Sequence, residues 1–182
     1  MVLIYLADGF EELEALSVVD VLRRADIAIQ MVSITGKKEV TSSHGVTMVA
    51  DLLFEEADHQ GAQMLVLPGG MPGTSALAAH EALHEKLKEA AKDGRWLAAV
   101  CAAPTVLGSL GLLQGKNAVC YPGNEAKLIG ANTDVKGKVV VDGKLVTSRG
   151  PGTSLDFALE IVTLLKDRET SETIRKAMIF AN

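Results

Sequence analysis

At 182 residues, 48% of them hydrophobic, the chain is long and apolar enough to bury the core of one domain, and we read 1–182 as a single unit. Its net charge of -5 and pI near 5.4 leave no basic excess to neutralise phosphates, which argues against sequence-specific nucleic-acid binding. No apolar run reaches about 18 residues, so no membrane span is expected.

The opening "MVLIYLADGFEE" lacks a basic leader and a small-residue cleavage site, so it reads as a first strand, over 2–7, and not as a signal peptide. Residues 10–25 have helical periodicity, and "IAIQMVSIT" (27–35) is a second strand. "KKEVTSSHGVTMVA" (37–50) reads as a hairpin, and "QMLVLPGG" (63–70) as a buried strand ending in a turn. A helix is expected over 74–93, ended by Gly94, followed by a strand in "RWLAAVC" and a helix over 103–112. Asp142-Gly143 marks a hairpin within 137–150, and helices over 153–167 and 171–180 close the chain. Strands alternating with helices predict an α/β architecture, a mostly parallel sheet covered on both faces.

In such sheets ligands bind beyond the carboxyl ends of the strands. Two of those ends are chemically marked, one by Pro68-Gly69-Gly70 and the other by Cys101. A cysteine where a strand turns into a helix meets unpaired N–H groups, which favour a thiolate. The alternative is a small buried core residue. Gly69-Gly70 is either a plain turn or a place where backbone amides can reach a developing oxyanion. Cys120, in "NAVCYPG", has no such junction and reads as structural.

The first helix adds an acid. At about 100° per residue, Glu14 falls between Val18 and Val21 on the apolar face, whereas Glu12 and Leu16 point elsewhere. A buried carboxyl is costly when ionised, so its pKa rises and it can donate or relay a proton. If the helix rolls, Glu14 is solvated instead. Glu11 sits in the first turn, where the helix dipole favours a carboxylate. Two cysteines make no disulfide framework, and they and the four histidines show no ligand spacing; reduced thiols, no metal and a cytoplasmic location are expected.

Taken together, "ADGFEELEALSVVDVLRRA", "VLPGG", "AAVCAAPTVL" and "TSRGPGTSLDFAL" closely resemble the ThiJ/PfpI superfamily, in the branch of DJ-one and its bacterial ThiJ-like relatives. The resemblance implies a flavodoxin-like sandwich and a homodimer. It implies that Cys101 is the reactive cysteine, Glu14 its protonated partner, and Gly69, Gly70 and the Ala102 amide the oxyanion-stabilising groups. It also implies a glyoxalase or deglycase activity on methylglyoxal or early glycation adducts of proteins and nucleotides, with no cofactor; the alternative is an oxidative-stress sensor or chaperone whose Cys101 becomes a sulfinic acid. The sequence departs from the animal members at Tyr121, where they carry a histidine, and at His44, where they carry an arginine. His44 either assists, from a partner chain, or is a solvated loop residue. The protease branch has a histidine directly after its cysteine, but Ala102 stands there. The glutamine amidotransferases use a late His-x-Glu pair, but no histidine follows His84.

Overall fold

The structure, a computed structural model, describes residues 1–180; positions 181 and 182 of the expected 1–182 unit lie outside the described residues. Its centre is a seven-stranded sheet in the order β5-β2-β1-β6-β7-β9-β8. The strands are β1 (Val2–Leu6), β2 (Ile29–Ser33), β5 (Leu52–Leu53), β6 (Met64–Leu67), β7 (Trp96–Val100), β8 (Val139–Asp142) and β9 (Leu145–Ser148). Only the edge pair β8–β9 is antiparallel; every other neighbouring pair is parallel. A small hairpin, β3 (Glu39–Thr41) with β4 (Thr47–Val49), stands apart from the sheet.

Alternation along β1 shows how the layers assemble. Val2, Ile4 and Leu6 enter one apolar core with α1 (Glu12–Arg24) and α5 (Ser154–Leu165), joined by Ile174 of α6 (Arg168–Ala177). Leu3, Tyr5 and Ala7 enter the other with α2 (Gly73–Ala79), α3 (Glu81–Lys92) and α4 (Pro104–Ser109). All five residues of β1 are buried, as expected of a central parallel strand. The α/β, flavodoxin-like reading of the sequence agrees with this architecture.

Several boundaries move for local reasons. The helix expected over 74–93 is two helices, because His80 is extended and caps α3, its Nδ1 accepting the Leu83 amide at 3.0 Å. The first helix begins at Glu12 because the Glu11 carboxylate caps it, accepting the Glu14 amide at 2.8 Å. The last begins at Arg168, capped by Asp167 on the Thr170 amide at 2.7 Å. β5 has only two residues, too few for a periodic signal. Among the described residues no helix is long and apolar enough to cross a membrane.

Candidate functional site

The carboxyl ends of β6 and β7 lie side by side, since Leu67 pairs with Ala99. Cys101 follows β7 directly and holds a left-handed backbone conformation, φ +63°. A non-glycine residue keeps that strained shape only where its surroundings impose it. Here its amide donates to the Ser148 carbonyl at 3.1 Å, and its own carbonyl accepts the Tyr121 amide at 2.8 Å. The clamp turns the thiol out of the sheet end as a nucleophile elbow does. Cys101 is partly exposed, whereas Cys120 is buried in the second core, and burial pushes its thiol up to about 11.

Glu14 is fully buried on α1 between the apolar residues that the helical spacing predicts. Its Oε2 accepts the Gly69 amide at 2.8 Å. Its Oε1 is buried with no hydrogen-bond partner, and the carboxyl lies close enough to the Cys101 thiol for the thiol to bear on its pKa. Burial pushes the carboxyl up to about 7, against the opposing pull of the Gly69 amide and the Cys101 thiol.

The thiol departs from the expectation of an acidic cysteine. Burial pushes it up to about 12, the negative charge of Glu14 adds to the rise, and the Ala102 and Gly70 amides pull the other way. Once a proton sits on Glu14, the charge that opposes a thiolate is gone and the carboxyl can donate to it. The two groups are therefore coupled, so that the proton on one bears on the ionisation of the other.

The glycines divide their roles. Gly69 is spent on Glu14, a positioning contact in place of the expected oxyanion contact. A Cβ on it would lie 2.6 Å from the Cys101 Cβ and 2.7 Å from Glu14 Oε2, so only glycine fits between them. The Gly70 amide, at φ +91°, and the Ala102 amide lower the pKa of the sulfur beside them.

Above the pair opens a cleft of about 400 Å³, walled by Glu11, His44, Gly70, Met71, Tyr121 and Asn124. His44 lines this cleft within its own chain. Its Nδ1 pairs with Glu12 at 3.0 Å, which raises its pKa. Tyr121 is half exposed at the cleft wall, with its ring edge beside Gly150. Ligand atoms of Glu11, Glu12 and His44 lie within 4.8 Å of one another, a grouping that spacing along the chain could not show. It is satisfied internally, by the helix cap and the Glu12–His44 pair. Met71 and Asn124 escaped the sequence reading. Met71 could have been found as the residue after the glycine turn; Asn124 carries no periodic signal.

A clamped cysteine at a strand end, paired with a buried acid beneath an open cleft, defines a flavodoxin-like α/β protein with a cysteine–acid pair at the end of its sheet. The sequence matches the DJ-1/PfpI family over residues 1–164, and the chain belongs to that family. It is 41% identical over 179 residues to the Protein DJ-1 homolog B of Arabidopsis thaliana, covering 98% of this chain but 41% of that protein. It thus spans less than half the length of that relative. A Pyrococcus abyssi protein named a deglycase is 36% identical over 166 residues, covering 91% of this chain and 99% of the relative. The structure of oxidized Toxoplasma gondii DJ-1 superposes with a TM-score of 0.94 at 35% identity, covering 100% of this chain and 98% of that one.

Proposed function

We propose that the chain is a cofactor-independent glyoxalase or deglycase, acting on methylglyoxal or on early glycation adducts of proteins and nucleotides. The observation that supports it is the Cys101–Glu14 pair, a nucleophile and a proton carrier of near-neutral pKa beneath an open cleft. The Cys101 sulfur adds to the aldehyde carbon while the pair's proton moves to the alkoxide, giving a hemithioacetal. The Gly70 and Ala102 amides steady the oxygen. Glu14 then takes the proton from that carbon and returns it to the neighbouring carbonyl carbon, by way of an enediol. The first carbon is oxidised to a thioester and the second reduced to an alcohol, so no external oxidant takes part. Water hydrolyses the thioester, releasing lactate and restoring the thiol. Lactate release from methylglyoxal tests this reading, and output no greater than that of Cys101→Ser defeats it.

A second reading rests on the same sulfur. Two peroxide molecules would convert the thiolate to a sulfinate with release of two waters, and the Glu14 proton with the Gly70 and Ala102 amides would hold the new oxygens. The oxidised state named for the Toxoplasma relative favours keeping it. A gain of two oxygens on Cys101 at low peroxide excess supports the sensor; indiscriminate oxidation of methionines defeats it.

We also read the chain as a cytoplasmic homodimer. Leu13 and Leu16 on α1, with Val46 and Val49 of the hairpin region, are exposed apolar residues suited to a second copy. Sedimentation showing only monomer at micromolar concentration would exclude the dimer.

A further inference from the structure

Beside the reactive cleft lies a second hollow, of about 200 Å³. The two share Met71, Ala102 and Asn124, so they meet over the residue that follows the nucleophile. Their chemistry differs. The reactive cleft carries the Glu11 carboxylate on one wall. No carboxylate lines the second hollow; its polar residues are Thr74, Ser75, Thr105, Asn124 and Lys127.

Two of those residues are unspent. Thr74 is 4% exposed, and its hydroxyl has no hydrogen-bond partner. A buried hydroxyl left unpaired is destabilising, and a bound polar group would remove that cost. Lys127 pairs with no carboxylate among the described residues. Its near neighbour Glu125 is engaged elsewhere, accepting the Gly123 amide at 2.7 Å. The other hydroxyls frame the hollow: Thr105 donates to the Ala102 carbonyl at 2.7 Å, and Ser75 lies against the Met71 sulfur at 3.9 Å.

We propose that this hollow is a substrate subsite for a carboxylate-bearing tail, so that the substrates of the Cys101 site are 2-oxoaldehydes carrying a short acidic chain. One lysine with neighbouring hydroxyl and amide groups suits a monoanion better than a phosphate, which calls for a denser set of donors. The acidic wall at Glu11 and the basic wall at Lys127 orient such a molecule, with its tail over Ala102 and its aldehyde at the sulfur. The proposal rests on the glyoxalase reading for its reacting group, and its test separates the two.

The probes are methylglyoxal, neutral 2-oxopentanal and anionic 4,5-dioxopentanoate, each measured by how well it protects Cys101 from iodoacetamide and by release of its hydroxy acid. 4,5-Dioxopentanoate should protect at about tenfold lower concentration than 2-oxopentanal, the scale of one added charge contact. Lys127→Met should abolish that preference, and Thr74→Val should reduce it, while unprotected alkylation of Cys101 stays unchanged. Equal protection by the two tailed probes, or a preference that survives both substitutions, overturns the subsite. Protection with the expected preference but without hydroxy-acid release leaves the subsite standing and sinks the glyoxalase reading. Absence of protection by any dicarbonyl sinks both.

Discussion

The Gly69 amide, at the end of β6, donates to Oε2 of Glu14 on α1 at 2.8 Å, across 55 residues of sequence. The contact fixes the acid against the sulfur of a third element, the elbow after β7. It fails if residue 69 acquires a side chain. Gly69→Ala would place a methyl 2.6 Å from the Cys101 Cβ and 2.7 Å from Glu14 Oε2. Either the acid or the elbow must then move, and misplacement of this order costs about 10²-fold in rate. Overpacking should also remove about 1–3 kcal/mol of stability. Alkylation rates and denaturant midpoints check this; an unchanged Cys101 rate would show that the contact does not position Glu14.

Cys101 alkylation should rise with pH through an inflection near 7. Below it both members of the pair hold protons, and no thiolate tautomer is available. Above it one proton is gone and the remaining one can sit on Glu14, leaving a nucleophilic sulfur. Glu14→Gln removes the shared proton, and the sulfur must ionise alone against its burial. The inflection should then move upward. A profile identical in the two proteins would show that Glu14 plays no part in the ionisation.

Stability should report the same carboxyl. Its pKa is about 7 when folded against an ordinary value of 4.5, so between those limits the folded chain holds the extra proton. Stability is therefore greatest below the lower value, declines as pH rises to 7, and is then flat, with a total loss of about 3 kcal/mol. Glu14→Gln carries no such penalty and should gain on the wild type across that window. Urea titrations at several pH values measure the gap; a gap independent of pH would place the carboxyl in contact with solvent.

The reach of the sequence is clearest at this site. Glu14 is legible because a carboxyl at helical spacing among valines has few alternatives, and Cys101 because a strand end adjoins a helix start. Both signals are local. The role of Gly69 is not local, since its amide could equally have faced the sulfur, and only the packing of α1 on the sheet decides it. His44 likewise reaches the cleft of its own chain through a Glu12 pair 32 residues away. The break at His80 was hidden because apolar periodicity continues through it; a side chain that caps the next turn overrides the pattern. The pKa of the thiol was missed because the helix-start argument counts amides and leaves out burial and the neighbouring acid.

On the opposite face of β1, Tyr5 and His59 form a second pH-sensitive contact. The Tyr5 hydroxyl lies 2.9 Å from His59 Nδ1, and His59 Nε2 lies 2.8 Å from the Phe54 carbonyl. The neutral tautomer with its proton on Nε2 satisfies both, with Tyr5 donating. Burial lowers the His59 pKa, with the cation of Lys86 adding to the effect. The unfolded chain thus binds this proton more readily, so the contribution is present above about pH 6.5 and is lost as pH falls through the lower folded value. Tyr5→Phe should cost about 1 kcal/mol at neutral pH and less in acid. An equal cost at both pH values would detach His59 from the effect.

Turnover of methylglyoxal should be measurable but slow, for a reason visible at Tyr121. Its amide holds the Cys101 carbonyl, a backbone contact that Phe or His at the position would keep. Its ring stands at the cleft wall, half exposed, where an imidazole would take up a proton at neutral pH and a phenol does so poorly. Glu14 must therefore serve in turn as acid and base, and a carboxyl raised to about 7 is suited to both tasks. Cys101→Ser and Glu14→Gln should abolish lactate release, whereas Tyr121→Phe should change it only modestly. Tyr121→His should raise it, because the added base can share the proton transfers while the backbone clamp stays in place. If Tyr121→Phe proves as damaging as Glu14→Gln, the phenol itself carries a proton in the reaction, and Glu14 is not its sole carrier.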